Sequence, residues 1–584
     1  MLSIDWDNEL GAVSSDSDIN NMWNTFKNKV KEAENECIPK NTVCVDGNNK
    51  ADRYKTKLDR KNLSKIKRKD RLWEKYCKTR EGEAYLNYCK SRNQVRKLTR
   101  KANKLIEKDV SRQAKSNPKK FWWYVSSKTK KKVTIPDLLI EDEDEPKFTK
   151  SDQEKANTLN DKFASVFNPN ESMYTRVIPD KTFSKILDIK IDEEMVKKKL
   201  LKLKIGKSPG PDGIHPRVLK EIALAIVHPM TIIYNASLRQ GRLPEDWKSA
   251  NITAIYKKGN RHIALNYRPV SLTCIACKIL ESIIREHIIN HMKDQKLFSS
   301  KQFGFISGRS TTLQLLRVLD EWTSILDKGG SVDVIYFDFM KAFDKVPHER
   351  LLMKLESYGV GGDLLQWIRA FLTGRKQRVV VNGSSSNWVN VTSGVPQGSV
   401  LGPLLFVVYI NDLPDVIDDQ SSMYLFADDA KLYREILTVK DNDIVQSDIH
   451  GMENWSEENE MFFHPGKCHA LKIGSNAASE LHDLFDPYVL GGHALDVVTS
   501  EKDLGVTIDC GLTFEKHVVD KCNKANQLVG IIRRTFTHMD AQMFLDLYRA
   551  LVRPHLEYAN QVWAPRFVKH IDMVENVQKR YTDP

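Results

Sequence analysis

Two stretches decide the fold: SVDVIYFDF at residues 331–339 and MYLFADDAKLY at residues 423–433. The first is a β-branched and aromatic run, the composition of a strand buried on both faces, and Asp338 stands at its end. A carboxylate in that position is costly unless something cationic satisfies it. In the second stretch two strand-like arms flank Ala427-Asp428-Asp429, which reads as a hairpin with adjacent carboxylates at its tip. Neighbouring side chains on a regular strand point to opposite faces, and a turn relaxes that alternation, so at least Asp428 can face Asp338.

Three carboxylates converging with nothing basic beside them repel one another, and hard divalent cations neutralise such a set. Mg²⁺ prefers carboxylate oxygen together with substrate phosphate. The expectation is two Mg²⁺ ions, with Mn²⁺ as a substitute, roughly 3.5–4 Å apart, activating an attacking hydroxyl and stabilising the leaving oxygen of a phosphoryl transfer. A lone Asp-Asp in a turn is ordinarily a surface hairpin; the specificity comes from both features on apolar strands 90 positions apart. Neither GxxxxGK[ST] nor HExxH occurs, so a nucleotide here is held through metal and scattered cations and not through a P-loop.

Outward from these stretches, the 584 residues are 41% hydrophobic, which excludes a wholly disordered chain and suggests several domains or one multi-lobed enzyme. The net charge of +13 is unevenly spread: residues 51–133 hold 29 Lys+Arg against 8 Asp+Glu, leaving the rest of the chain at −8. A basic segment on a mildly acidic body points to a polyanion such as nucleic acid. Within it the aromatics Trp73, Tyr76, Tyr85, Tyr88 and residues 121–124 (FWWY) either stack on bases or pack the apolar side of a solvated helical hairpin, and both readings stay open. Lysine-rich runs at 65–69 and 128–132 are weak nuclear-import signals. Residues 1–50 read as a polar segment, and the acidic run 141–145 between Pro136 and Pro146 as a linker. A helical stretch is expected at 277–292, and one apolar stripe (Phe514, Val518, Cys522, Ala525, Leu528, Ile532) predicts a helix in the tail. The longest apolar run, residues 400–410, is too short to span a bilayer, and the acidic N-terminus lacks a secretory pattern. Nine scattered cysteines suggest a reducing compartment, and Cys274 and Cys277 read as two buried thiols on a helix. An intracellular chain in nucleus or cytoplasm, without a membrane partner, is expected.

With these motifs quoted, the chain resembles the reverse transcriptases of non-LTR retrotransposons, jockey-like in character. The resemblance is carried by Phe426-Ala427-Asp428-Asp429, Phe337-Asp338-Phe339 and Gly394-Val395-Pro396-Gln397-Gly398-Ser399, and by SPGPDG at 208–213, NYRP at 266–269 and QFGF at 302–305. It continues through Gly308-Arg309-Ser310, KAFD at 341–344, Leu504-Gly505-Val506 and RPHLEY at 553–558, and so covers about residues 200–580 in order. It implies an α+β right-hand polymerase: fingers at 191–330, a palm with an antiparallel sheet at 331–510 and a helical thumb at 511–584. These would follow the polar segment at 1–50, a basic helical nucleic-acid-binding arm at 51–133 and an acidic, proline-containing linker with short helices at 134–190.

The resemblance also implies roles. Asp338, Asp428 and Asp429 would be the palm carboxylates, with the backbone carbonyl of Phe339 assisting at the metal. Lys257 or Lys258, undecided between them, and Arg268 fall where fingers cations hold the triphosphate, and Gln397 beside Gly398 where the incoming nucleotide is contacted. Phe343 would leave no room for a 2′-hydroxyl, favouring dNTPs, whereas RNA-copying RNA polymerases usually place a polar acid at this offset. Lys467 would protonate departing pyrophosphate or be a solvated loop lysine. Phe303, Gly304 and Arg309 resemble template-contacting fingers, and Leu504-Gly505 the primer-gripping hairpin. The implied partners are an RNA template, a DNA primer or target, and dNTPs.

The pattern departs from the family in two places. Such elements usually carry an apurinic-type endonuclease upstream, whereas about 200 basic-helical and linker residues stand here, so target nicking is not assigned to this chain. The thumb normally continues past Pro584, so the chain reads as a fragment of an element. Besides an RNA-directed DNA polymerase, the sequence leaves two readings: an RNA-templated RNA polymerase, and an inactive nucleic-acid-binding relic. His464, Cys468 and His469 lack an apparent fourth ligand, and no zinc site is expected.

Overall fold

The SVDVIYFD run forms the strand Ser331–Asp338 at the centre of a five-stranded sheet. Val332, Val334 and Ile335 are fully buried, because helices Thr311–Asp327 and Val439–Glu458 pack against the sheet. Across the sheet the order is Asp496–Val498, His469–Ile473, Ser331–Asp338, Asp429–Ile436 and Ser422–Phe426. Every neighbouring pair is antiparallel except the two outermost strands at the Asp496 edge. The apolar run at 400–410 supplies the helix Gly402–Tyr409, of which all but Pro403 is buried.

The computed structural model describes residues 1–2, 4–11, 18–39, 60–129, 135–141, 146–168, 178–474 and 486–582. Parts of two runs singled out above, residues 130–132 and 142–145, lie outside them. The chain divides into two compact units, residues 1–40 with 135–499, and residues 41–134 with 500–584. Among the described residues no helix is long and apolar enough to cross a membrane.

A second sheet in the first unit joins Tyr267–Leu272, Ser249–Tyr256 and Arg375–Val381. Helix Asp152–Ala164, in the stretch read as a linker with short helices, packs Ala156, Leu159 and Phe163 into a core with Ile252, Tyr267 and Val379. Residues 1–50, read as merely polar, contain the helix Ile19–Cys37. Its Trp23, Phe26 and Val30 are buried; the Trp23 ring meets Trp247 edge-on at 5.3 Å, and its indole N–H donates to Asp246 at 2.9 Å. The expected helix at 277–292 runs Ile275–Asp294, with Cys274 as its N-cap and Cys277 buried.

In the second unit, helices Arg60–Thr79 and Gly82–Gln113 form an antiparallel hairpin, followed by Pro118–Thr129. The predicted apolar stripe is realised in Glu515–Thr535, with Val518, Cys522, Ala525, Leu528 and Ile532 buried. Buried Glu107 ties the basic helices to the C-terminal region: its carboxylate accepts from the Tyr124 hydroxyl (3.0 Å) and from the backbone N–H groups of Thr537 (3.2 Å) and His538 (2.8 Å). Phe121 stacks on Phe536 at 6.0 Å.

Candidate active site

Register places the acids. Strand Asp429–Ile436 pairs with Ser331–Asp338 so that Asp429 lies opposite Asp338, and with Ser422–Phe426 so that Asp429 lies opposite Phe426. Ala427 and Asp428 are left as the turn, with Ala427 at φ 55°. That conformation costs a non-glycine residue about 1–2 kcal/mol and persists only where surrounding structure holds it. Gln302, quoted in the QFGF motif but given no role there, does so: its buried side-chain oxygen accepts from the N–H of Ala427 (3.0 Å) and of Gly304 (2.7 Å). Phe303 N–H donates to Leu425 O (2.7 Å) and Leu425 N–H to Lys301 O (3.0 Å), so residues 301–304 lie along the hairpin like a further strand. A Cβ on Gly304 would stand 2.3 Å from the Ala427 nitrogen, so only glycine fits beneath the turn.

The expectation that nothing basic lies beside the carboxylates is corrected here. Lys467 Nζ pairs with Asp338 Oδ2 at 3.1 Å, because the residues after Glu460 return along the end of the Asp338 strand. His464 N–H donates to Asp338 O (2.8 Å), Phe463 stacks on Phe339 at 4.5 Å, and Cys468 lies behind Asp338 with its thiol pushed up to about 11 by burial. The Asp428 carboxyl is held above the ordinary carboxylate range, first by burial and further by the charge of Asp338; Arg268 and Lys257 pull it back. Of the two candidate lysines, Lys257 is the one whose charge reaches Asp428, and Lys258 is an exposed neighbour.

Arg268 sits on the strand Tyr267–Leu272 and donates through Nε to Gln397 Oε1 at 3.1 Å, while Gln397 Nε2 donates to Asp344 Oδ1 at 2.9 Å. The Gln397 amide is therefore fixed in one orientation by a cation on one side and a carboxylate on the other. Burial raises the Asp344 carboxyl, and the Gln397 bond, Lys341 and Arg268 oppose that. Gly398, at φ 119°, lets its loop press onto that strand: a Cβ there would be 2.5 Å from Ser271 O. Phe343 stacks on Phe406 at 4.5 Å and lines a cavity with Phe163, Asp344, Ser271 and Gln397.

Arg309 and the Leu504-Gly505 pair are the remaining expected site residues. Arg309 gives its guanidinium to the backbone carbonyls of Ser299 (2.7 Å) and Gln302, over the Phe303 ring at 5.6 Å, and burial lowers its pKa. Leu504 and Gly505 form the tip of the hairpin Ser500–Asp503 and Val506–Asp509 in the second unit.

Among the described residues no group of three or more His, Cys, Asp or Glu side chains is gathered to hold a metal ion. The donors present still suit one: the Asp338 and Asp428 carboxylates and the Phe339 carbonyl are hard oxygens, and the Asp428 carboxyl is desolvated. An ion bound by so few protein groups takes its remaining ligands from substrate phosphate and water, as Mg²⁺ does.

Acids at a strand end and a hairpin tip, with cations of a second sheet in electrostatic reach, are the equipment of nucleotidyl transfer. Residues 255–508 match the family described as reverse transcriptase (RNA-dependent DNA polymerase), and this part of the chain is a reverse transcriptase domain. Its relatives come from non-LTR mobile elements. The chain is 29% identical over 402 residues to the RNA-directed DNA polymerase from mobile element jockey of Drosophila funebris, covering 66% of this chain and 43% of that protein. It is 30% identical over 417 residues to the probable RNA-directed DNA polymerase from transposon BS of Drosophila melanogaster, covering 68% and 44%. A similar match, 28% over 387 residues (64% and 42%), is to the probable RNA-directed DNA polymerase from transposon X-element of the same fly. The chain thus spans less than half the length of these relatives.

Proposed function

We propose that the protein is an RNA-directed DNA polymerase that extends a DNA primer on an RNA template with dNTPs. The observation carrying this reading is the sheet register that brings Asp338 to the Asp428-Asp429 turn, with Arg268 and Lys257 in electrostatic range. In this reading residues 191–330 act as fingers, 331–510 as palm and 511–584 as thumb. Asp338, Asp428 and the Phe339 carbonyl would hold magnesium, with Asp429 alongside. Bound magnesium supplies activation of the primer 3′-hydroxyl and charge neutralisation at the transferred phosphate.

The chain's own groups do the rest. Arg268 and Lys257 bind the triphosphate, the Arg through a planar fork and the Lys as a point charge, with Lys258 beside them. Gln397, fixed by Asp344, and the close approach allowed by Gly398 position the nucleotide. Phe343, braced on Phe406, occupies the space a 2′-hydroxyl would need. Lys467 would give a proton to the departing pyrophosphate, a role supported by its pairing with Asp338, which keeps it near the acids. Phe303 and Arg309 would face the template, Leu504 and Gly505 the primer, and Gly304 would serve the site by admitting the Ala427 turn.

Primer extension on an RNA template with Mg²⁺ tests the reading. The parent should incorporate dNTPs, and Asp428→Asn should lose about a thousandfold or more in rate while still binding template. A parent that binds RNA and extends nothing would mark an inactive relic, and preference for NTPs would mark an RNA polymerase. Phe343→Val should admit ribonucleotides more readily; unchanged selectivity removes the assigned role of Phe343.

A further inference from the structure

The basic hairpin of the second unit carries an aromatic cluster near its turn. Trp73 and Tyr76 on Arg60–Thr79 meet Tyr85 and Tyr88 on Gly82–Gln113, with ring centroids 4.7 Å apart for Trp73–Tyr88 and 5.0 Å for Tyr76–Tyr85. The two sequence readings, a packed seam and a stacking surface, therefore coexist: the rings touch across the helices, yet Trp73 remains 43% and Tyr85 42% exposed. Arg80 lies over the Tyr76 ring at 5.7 Å and Arg92 over Tyr88 at 5.8 Å, which sets cations beside the rings. The two helices together carry 18 Lys+Arg against 5 Asp+Glu.

We propose that this cluster is a docking site for single-stranded nucleic acid, in which unpaired bases stack on Trp73 and Tyr85 while Arg80, Arg92 and neighbouring lysines meet the phosphates. The charge excess selects a polyanion, and the half-exposed rings select one with accessible base faces. A duplex satisfies its bases by internal stacking and has nothing to offer Trp73 or Tyr85, so it would engage only the cations. The site uses no residue of the carboxylate turn and does not depend on whether that turn polymerises.

The test is equilibrium binding of the full chain, without dNTPs, to fluorescent oligo(U), oligo(dT) and a duplex of equal length, across a salt series. Either single strand should bind more tightly than the duplex, and the tighter of the two tells whether RNA or DNA is preferred. Trp73→Leu with Tyr85→Leu should weaken single-strand binding about tenfold per lost stack while the slope of log K against log salt stays put. Arg80→Gln with Arg92→Gln should instead flatten that slope by about 0.7 per lost phosphate contact. The proposal falls if the ring variants bind single strands like the parent, or weaken duplex binding equally. Should circular dichroism show that the leucine pair melts the hairpin, photocrosslinking of 4-thiouridine-substituted oligo(U) to the parent decides: adducts at Trp73 or Tyr85 support the site, and adducts only elsewhere overturn it. Because no nucleotide is incorporated, failure here is separate from a failure of primer extension.

Discussion

Two hairpin tips in this molecule share a backbone problem and solve it differently. At Ala427-Asp428 a non-glycine residue sits at φ 55°, and at Leu504-Gly505 the values are 45° and 89°. The first tip is held from beneath by the buried side chain of Gln302 and the close-fitting Gly304. The second is held from outside: the exposed Tyr558 hydroxyl donates to Leu504 O at 2.8 Å and Lys521 Nζ to Gly505 O at 3.1 Å. Buried bonds to backbone N–H groups are expensive to leave unmade, while half-exposed ones are replaced by water. The difference therefore separates a tip that must hold charged groups rigidly from one that tolerates adjustment.

Several changes would break or sharpen this contrast. Gln302→Leu should be the most damaging, because it orphans the buried N–H groups of Ala427 and Gly304. About 4 kcal/mol of stability should vanish in urea unfolding, with Gln302→Glu recovering part of it through the retained acceptor. The second hairpin offers a pH-dependent counterpart. His517, 1% exposed, accepts the Thr507 N–H at 3.0 Å, and burial lowers its pKa to about 4. An unfolded histidine titrates near 6.5, so the unfolded chain binds the proton first as pH falls. The contribution is complete above about pH 6.5 and lost on the way down to pH 4, amounting to about 3 kcal/mol. His517→Gln should remove this slope from thermal melts taken between those pH values; an unaltered slope would assign it to other groups.

Gly304→Ala should cut primer extension about a hundredfold, since a displacement of about 1 Å at the turn misplaces Asp428. Template binding should change far less, and a parent-like rate would show that the turn yields easily. The mildest change is Tyr558→Phe, which deletes one half-exposed hydrogen bond and keeps the ring against Gly505, where an added Cβ would stand 3.2 Å from it. A loss near 1 kcal/mol or below is expected in melting experiments; a loss as large as that of Gln302→Leu would abolish the distinction between the two tips.

The parts of the site legible in the sequence were those with a local pattern. The apolar run ending in Asp338, the two arms around Ala427-Asp428 and the stripe from Val518 to Ile532 each announce an element within a dozen or two residues. The braces were not legible. Gln302 belongs to a quoted motif, yet its role shows only when its oxygen is found 3.0 Å from the Ala427 nitrogen, 125 positions away. Lys467 gave no sign of pairing with Asp338, although the resemblance set it near the departing pyrophosphate. The helix Ile19–Cys37 spaces Met22, Trp23, Phe26 and Val30 at helical intervals, a signal that was present and overlooked under the polar composition of its segment.

By itself, then, the order of residues determined which groups this protein brings: oxygen donors on two apolar strands, cations ahead of them, an aromatic five residues past Asp338 and a basic segment toward the N-terminus. Tertiary structure alone decided which cation reaches which acid, that Asp344 orients Gln397, and that Glu107 ties the arm to the C-terminal helices. The reason is physical. Strand and helix periodicity arise from backbone geometry repeated every two or 3.6 residues, so neighbours in sequence report them. Hydrogen bonds and ion pairs between segments hundreds of positions apart arise only once packing has set donors and acceptors within a few ångströms, and no local pattern encodes that distance.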